Sequence, residues 1–512
     1  MPATYTTPGV YVEEVDKGSK PIEAAGASMA AFVGITAEAS IKALDPATGE
    51  RVPVQSVLNK AMLVTNWTQF QNIFGGFVTG AFLPDTVYGY FSNGGGPCYV
   101  TSIMAFSELS DKAAPTASVV IAPASGKGKA ITVAAKHAGV GGNDLSVTIK
   151  ADEKGETFTM TVGSESKSGL TMKKGEGYAG DAEFSAVTIT DVGTAIPTDG
   201  VYQLSGGGIS LPTAADFIGD VAKRTGLSGL EALDDVRLIL CPDLMTGYDG
   251  TDAFKQKIKA VQTAIIADCE RLKYRFAVLD TPPGLSAQQA KEWREYVNYD
   301  TSYAALYYPW IEVADLSDSP QTTKWVPPSG HVVGIYNRVD ARVGFHKAPA
   351  NEVVAGAISI ELNLTKGEQG VLNPIGVNCI RSFPGRGIRV WGARTLSSDG
   401  SWRYINVRRL FIVVGASLDQ GMQWVVFEPN DRMLWAKVRR DVNSFLGTIW
   451  LSGALFGSTK DEAFYVKCDD ELNPPEIRDL GQLIIEIGMS PVKPAEFVVF
   501  RLSQWAGPNA EA

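Results

Sequence analysis

Between residues 236 and 308, apolar strand-like runs alternate with amphipathic helical stretches, and this alternation constrains the fold more than any other feature. The run 236–241 is followed by a helical stripe of apolar residues that begins after Thr251, a suitable N-cap residue. A second helical stretch lies between the apolar runs 275–280 and 304–308. Strands separated by helices pair in parallel through right-handed crossovers. The sequence therefore predicts an α/β core built on a parallel sheet, with helices on its faces.

The chain is long enough for several domains, and its composition changes along its length. It has 512 residues, more than one hydrophobic core usually organises. Residues 106–205 are rich in Ser, Thr, Lys and Gly and contain short alternating runs, which is typical of an inserted antiparallel β module. We predict a mixed α/β and α+β protein with four parts: an N-terminal strand arm at 1–20, an α/β core at 21–105 plus 206–370, an inserted β-rich domain at 106–205, and a C-terminal α+β domain with a terminal strand and arm at 371–512.

Each end of the chain carries a strand-like run that has no hairpin partner next to it. The run from Thr7 to Val15 is followed by a loop, and the run from Glu496 to Leu502 has little chain after it. An unpaired strand exposes backbone donors and acceptors, so we expect both runs to pair with an edge elsewhere, on copies of the same chain. The residues that we assign to this intersubunit strand mesh are Val10, Tyr11, Val12, Glu13, Glu14, Val15, Phe497, Val498, Val499 and Phe500.

The composition argues against several classes of partner. The net charge is −10 and the sequence has no basic cluster, so we expect no nucleic-acid partner. No apolar run reaches the roughly 18 residues that a membrane span needs, so we expect no direct membrane insertion. The five cysteines are scattered, without a C-x-x-C pair, and the N-terminus has no charged-then-apolar leader. These features predict synthesis and folding in the cytoplasm.

Two carboxylates are the strongest candidates for chemistry. Asp243 follows the first predicted parallel strand and Asp280 ends the second, and ligands bind at that edge of such sheets. The pair would suit magnesium or acid/base chemistry. Turn and cap roles beside Pro242 and Pro282 are the favoured interpretation, since no phosphate loop, nearby histidine or third acidic ligand supports a site. A cytosolic magnesium-dependent α/β hydrolase therefore remains the alternative to a protein without enzymatic activity or cofactor.

Several further segments, taken in order, show a specific pattern. The run Thr7-Pro-Gly-Val-Tyr-Val-Glu-Glu14 opens the chain. The later segments are Val326 to Gly334, Asp340, Lys347 to Asn351, Arg381, Gly385 to Leu396 with Trp391-Gly-Ala-Arg-Thr395, Tyr404 to Arg409, Phe427-Glu-Pro-Asn430 and Pro494-Ala-Glu-Phe497. In their order and coverage they resemble contractile tail sheath proteins, which are found in tailed bacteriophages, pyocin-like particles and extracellular contractile injection systems.

The resemblance implies a multidomain sheath fold and a structural function. Similar proteins polymerise as stacked hexameric rings, usually helically, around an inner tube, and contract to drive that tube through a target envelope. Their partners are the inner tube protein, the baseplate and terminator or cap proteins. The resemblance further implies that both terminal arms complete a shared sheet in neighbouring subunits, and that the 106–205 insertion faces outwards. A tube or baseplate protein of the same machine is disfavoured by chain length and by the order of the segments.

Four arginines are candidates for contacts between subunits, because the acidic Glu13 and Glu14 favour a matched basic partner. A solvated basic face is an equally good interpretation of these side chains. The four are Arg408, Arg409, Arg439 and Arg440.

Overall fold

The computed structural model describes most of the chain. The described residues are 22–46, 49, 51–108, 115–125, 129–137, 140–152, 155–190, 192–208, 211–317 and 321–501. They divide into two compact units, which are considered separately. The larger contains residues 26–413 and 493–501, and the smaller contains residues 22–25 and 414–492.

The described strands and helices follow in chain order. The strands are β1 Ala30–Thr36, β2 Ser40–Leu44, β3 Arg51–Ser56, β4 Ala61–Val64, β5 Cys98–Ala105, β6 Ser118–Ile121, β7 Ile131–Ala135, β8 Ser146–Ala151, β9 Phe158–Val162, β10 Glu165–Leu170, β11 Val187–Thr190, β12 Gly200–Gln203, β13 Leu238–Leu240, β14 Phe276–Asp280, β15 Ala304–Tyr308, β16 Ile311–Ala314, β17 Thr323–Val326, β18 Glu352–Val353, β19 Ser359–Ile360, β20 Val377–Phe383, β21 Gly387–Val390, β22 Phe464–Lys467 and β23 Glu486–Met489. The helices are α1 Trp67–Phe74, α2 Leu83–Ser92, α3 Ala214–Ile218, α4 Asp252–Leu272, α5 Ala287–Val297, α6 Ser329–Arg342, α7 Lys366–Leu372, α8 Ile405–Gly421, α9 Arg432–Leu451, α10 Lys460–Ala463 and α11 Pro475–Asp479.

A nine-stranded sheet forms the centre of the larger unit, in the order β18-β21-β20-β15-β14-β13-β1-β5-β4. The six strands from β20 to β5 pair in parallel, and β4, β21 and β18 add antiparallel edges. The predicted parallel α/β core is therefore confirmed. The hydroxyl of Thr251 accepts a hydrogen bond from the backbone N–H of Phe254 and caps α4, as its sequence position predicts.

The sheet is buried on both faces, which explains the continuous apolar runs of its strands. In β1, Phe32 packs into one apolar layer, while Ala31 and Val33 pack into the other. Successive side chains of a strand point to opposite faces, so helices on both sides cover this strand completely. Around this sheet, the core thus consists of two apolar layers that the sheet separates.

Strands β6 to β12 lie within the predicted insertion and form two antiparallel sheets. Their orders are β10-β9-β8-β12 and β11-β7-β6. Phe158, Met160 and Val133 are buried in a common apolar cluster of this region. This antiparallel architecture agrees with the alternating runs of the sequence, whereas the predicted domain limits 106–205 stay a prediction.

The central sheet extends beyond the predicted division at residue 370. Strands β20 and β21 belong to it, and β15 pairs in parallel with β20. The two compact units meet in the sequence at Val413 and Val414, within α8, while the predicted domain limits stay a prediction. Composition could not reveal this position, because a helix interior carries no linker residues that would mark it.

The smaller unit contains α9 to α11 and the strand pair β22–β23. Asp431 caps α9 by accepting a hydrogen bond from the backbone N–H of Leu434. Leu434, Trp435 and Val438 begin the buried stripe of this helix. Across the part of the chain that the structure describes, no helix combines the length and the apolar character needed to cross a membrane.

Candidate assembly surfaces

The C-terminal segment presents four large apolar side chains to solvent. Phe497, Val498, Val499 and Phe500 are 73%, 70%, 77% and 83% exposed. None of the four belongs to a strand within the described subunit. A contiguous exposed apolar run of this kind marks an interaction site more often than a free surface. Their pairing with a neighbouring subunit stays a prediction.

The residue just before this run is held firmly by the larger unit. The carboxylate of Glu496 accepts hydrogen bonds from Arg394, with Nε at 2.9 Å and Nη2 at 2.7 Å. It also accepts from the side-chain amide of Asn373 at 2.6 Å and from the hydroxyl of Tyr404 at 3.1 Å. Burial alone would raise the pKa of Glu496, but the donors from Arg394 and Asn373 hold it below the ordinary value.

The N-terminal half of the predicted strand mesh lies outside the described residues. This applies to Val10, Tyr11, Val12, Glu13, Glu14 and Val15. The described chain begins at Ile22, and within the smaller unit the backbone N–H of Ala25 donates a hydrogen bond to the hydroxyl of Ser417 at 2.8 Å. The residues that follow the predicted arm are therefore fixed to α8.

A two-stranded sheet in the smaller unit has two open edges. Strands β22 and β23 pair antiparallel from Phe464 opposite Met489 to Lys467 opposite Glu486. Among the described residues neither strand has a second strand partner. A groove of about 680 Å³ lies beside β22, and its lining includes Arg440. Such an edge can accept a further strand from another chain.

The four predicted contact arginines differ in their surroundings. Arg409 is 2% exposed and forms an ion pair with Asp340 of the same subunit. Arg408 lies over the rings of Trp402 and Tyr303, with its guanidinium carbon 3.6 Å and 4.3 Å from their centroids. Both guanidinium groups are thus engaged inside the subunit, and contacts of Arg408 and Arg409 with other subunits stay a prediction.

The other two arginines lie in the smaller unit. Arg439 donates a hydrogen bond to the backbone carbonyl of Cys468 and is half-buried. Arg440 bonds to Asp441 at 3.0 Å, yet its side chain is 64% exposed. Of the four, Arg440 therefore presents the most charge to a partner, and its contact with another subunit stays a prediction.

Asp243 and Asp280 make hydrogen bonds within the core. The carboxylate of Asp243 is buried and accepts hydrogen bonds from the backbone N–H groups of Ile35, Phe82 and Leu83, so its oxygens are already used. Asp280 accepts from the backbone N–H of Ser329 at 3.0 Å. Burial raises the pKa of Asp243 to about 6 and that of Asp280 to about 7. Both residues join elements of the core, and no metal-binding cluster of His, Cys, Asp or Glu occurs in the described ranges.

Two family models match consecutive parts of the chain. The model for the phage tail sheath protein central domain matches residues 227–396, and the model for the phage tail sheath C-terminal domain matches residues 397–504. The tail sheath protein of Burkholderia phage BcepMu is 25% identical, over 96% of this chain and 95% of its own length. A putative prophage major tail sheath protein of Pseudomonas aeruginosa strain UCBPP-PA14 is 26% identical, over 57% and 74% respectively.

Solved structures of contractile sheaths share the fold. The contracted sheath complex of the extracellular contractile injection system PVC superimposes with a TM-score of 0.60 at 23% identity, covering 98% of this chain and 99% of that one. The contracted helical sheath of the anti-feeding prophage gives 0.59 at 23% identity, covering 98% and 100%.

The fold is that of contractile sheath proteins. The chain belongs to the phage tail sheath family, whose two models together cover more than half of it. It is a structural subunit of a contractile sheath, of a phage tail or a tail-like particle. The resemblance stated from the sequence is thereby confirmed, and the hydrolase alternative is not supported.

Proposed function

We propose that this subunit assembles in the cytoplasm as stacked hexameric rings around an inner tube, with a baseplate and a terminator or cap protein at the two ends. Contraction of the sheath then drives the tube through a target envelope. The observation that carries the proposal is the exposed run Phe497–Phe500, which follows a firmly held residue of the core. A polymer needs a link of this kind that reaches from one subunit to the next.

The run Phe497–Phe500 is the donor strand of that link. Burying a large apolar side chain stabilises a complex by about 1.5–3 kcal/mol, so four such residues supply a substantial part of an interface. Backbone hydrogen bonds to a sheet edge add affinity, and alternate side chains set the register. The apolar character of both faces of this run fits a strand that is covered on each side after assembly.

The strand pair β22–β23 is the acceptor in the neighbouring subunit. An isolated two-stranded sheet is marginally stable in water, so added strands on its open edges would complete it. The run Phe497–Phe500 of one neighbour and the N-terminal run 8–15 of another supply these strands. Arg440 and Lys460 line the groove beside β22, and their charge complements Glu13 and Glu14.

Deletion of either arm tests the proposal. Variants that lack residues 1–15 or 497–512 are expected to fold as soluble subunits and to form no sheaths in negative-stain electron microscopy. A variant that lacks 106–205 and carries a short linker is expected to assemble. Normal-length sheaths from either arm deletion would contradict the proposed links, and loss of all polymer in the 106–205 deletion would make the insertion part of the lattice.

Charge reversal tests the pairing of the N-terminal arm with β22. Arg440→Glu is expected to weaken assembly, and the added pair Glu13→Arg and Glu14→Arg is expected to restore it. Arg432→Glu serves as the control, since Arg432 is an exposed arginine of the same helix that does not line this groove. Equal loss of assembly in the control, or no rescue by the triple variant, would contradict the pairing.

A further inference from the structure

Two segments that the sequence singles out separately meet in the larger unit. Arg394 belongs to the segment Trp391 to Thr395, and Glu496 belongs to the segment Pro494 to Phe497, 102 residues further along the chain. Both nitrogens of the Arg394 fork, Nε and Nη2, donate to the two oxygens of Glu496. This bidentate arrangement fixes direction as well as distance.

Every group around this carboxylate is itself tied to the core. The backbone N–H of Arg394 donates to the side chain of Asn378 at 2.7 Å, and its carbonyl accepts from the same side chain at 2.8 Å. Asn378 lies in β20, a strand of the nine-stranded sheet. Tyr404 directly precedes α8, and Asn373 directly follows α7. Glu496 is therefore connected to the central sheet through the side chains of Arg394 and Asn378.

Residues on both sides of Glu496, namely Pro494, Ala495 and Val498, line one groove of the larger unit. This groove has a volume of about 320 Å³, and its other walls include the small side chains of Ala350 and Ala393. The four residues after Glu496 are all at least 70% exposed. The last strong polar contact of the described C-terminal segment with the subunit is thus the one at Glu496.

We propose that Arg394, Asn373 and Tyr404 form a carboxylate clamp that fixes where the donor strand leaves the subunit and carries its tension to the central sheet. The inference rests on the proposed role of Phe497–Phe500 as a link between subunits. A strand that must pair in one register on a neighbour needs a fixed starting point, because a slip of one residue would turn its side chains to the opposite face. A strand that stays paired with its neighbour during contraction must also stay attached to its own subunit. Arg394, Asn373 and Tyr404 are positioning residues, since they act through Glu496.

Neutralising the carboxylate is the primary test. Glu496→Gln keeps the size of the side chain and removes its charge. Relative to the native subunit, chymotryptic cleavage after Phe497 is expected to become about tenfold faster, because the segment is released more often from the subunit. The main thermal transition is expected to change little, because Arg394 keeps its hydrogen bond to the carbonyl of Asn373. Sheaths of this variant are expected to be absent, short, or broken after contraction in electron micrographs.

Two further variants separate the clamp from a general effect of charge. Arg394→Lys keeps the charge but loses the bidentate fork, so it is expected to resemble Glu496→Gln. Arg389→Met removes a half-buried arginine that donates to the backbone carbonyl of Asn351 and not to Glu496, and it is expected to leave cleavage after Phe497 and sheath assembly as in the native protein. Native cleavage rates together with intact, normal-length sheaths in both clamp variants would overturn the inference.

The proposed clamp can be wrong while the proposed link between subunits is right. If deletion of 497–512 abolishes assembly while Glu496→Gln and Arg394→Lys assemble and contract normally, the donor strand stands and the clamp does not. If the deletion of 497–512 itself yields normal sheaths, Phe497–Phe500 is not the donor strand. The proposed clamp then has no strand to position, and both proposals are wrong.

Discussion

Arg409 and Asp340 form a buried ion pair that joins α8 to α6. One guanidinium nitrogen, Nη1, lies 2.9 Å from Oδ1 of Asp340, and Nη2 also donates to the carbonyl of Ala27 at 3.1 Å. The hydroxyl of Ser28 donates to the same carboxylate at 3.0 Å. The pair therefore fixes the chain at 27–28, just after the predicted N-terminal arm, to two helices that are far away in sequence.

Arg409→Met is expected to destabilise the larger unit by about 3–5 kcal/mol, because it leaves the buried carboxylate of Asp340 without its counter-ion. The double variant Arg409→Met with Asp340→Leu removes both charges and is expected to recover most of this loss. Urea denaturation followed by circular dichroism measures both values. A single variant as stable as the native protein would contradict an essential pairing.

Asp243→Asn is expected to destabilise the fold by about 1–3 kcal/mol, because an amide cannot accept from the three surrounding N–H groups with both of its ends. Gly34→Ala is a second probe, since a Cβ there would collide with Oδ2 of Asp243. Thermal unfolding with and without magnesium checks the structural role. A magnesium-dependent increase in the melting temperature of the native protein that Asp243→Asn abolishes would instead indicate a metal site.

His331 is expected to make the protein sensitive to acid. Its ring is buried against Gly89, and burial lowers its pKa to about 4, so the folded state keeps it neutral. The unfolded chain takes up a proton near pH 6.5, and stability is therefore lost as the pH falls from about 6.5 to about 4. The full effect is on the order of 3 kcal/mol. His331→Gln should flatten this part of the pH–stability profile, and an unchanged slope would contradict the assignment.

The contribution of Asp280 to stability changes with pH in the opposite direction from that of His331. Burial raises its pKa to about 7, so folding favours the protonated form, and its contribution is lost as the pH rises from about 4 through 7. Asp280→Asn mimics the protonated carboxyl and is expected to remove this loss. Comparison of the melting temperatures of Asp280→Asn and the native protein at pH 5 and pH 8 measures it. An equal difference at both pH values would show that Asp280 does not titrate in this range.

Phe427 combines a backbone φ of 69° with a side chain that is 102% exposed. A bulky residue in the left-handed region costs about 1–2 kcal/mol, and here no burial of the ring offsets that cost. Phe427→Gly is therefore expected to stabilise the smaller unit by up to about 1 kcal/mol, after the extra chain entropy of glycine is subtracted. A scan of thermal unfolding checks this, with Phe456→Gly as a control at another exposed phenylalanine. A lower melting temperature for Phe427→Gly would show that the ring makes a contact that matters.

The local patterns of the sequence were sufficient for the α/β core. The predicted strand 304–308 is observed at the same residues, and the predicted strand 275–280 begins one residue later as β14. The helix after Thr251 begins as predicted, because an N-cap hydrogen bond involves residues only three positions apart. Signals of this range do not depend on the rest of the fold.

Contacts between distant segments could not be obtained in this way. The sequence indicates contacts between subunits or a solvated basic face for the neighbouring Arg408 and Arg409. In the structure Arg409 is buried against Asp340, and Arg408 lies over two aromatic rings. Arg394 and Glu496 each lay in a segment that had been singled out, but nothing in the sequence indicated that they meet. The boundary inside α8 was equally hidden.

The sequence by itself determined the order of strands and helices, the parallel core and the family, because periodicity, capping and segment order are written in consecutive residues. The tertiary structure decided which charges are buried, which are paired and where the C-terminal segment is anchored. These properties depend on which segments the sheet topology brings together. The free energy of a buried charge is set by the groups packed around it in space and not by its neighbours in sequence.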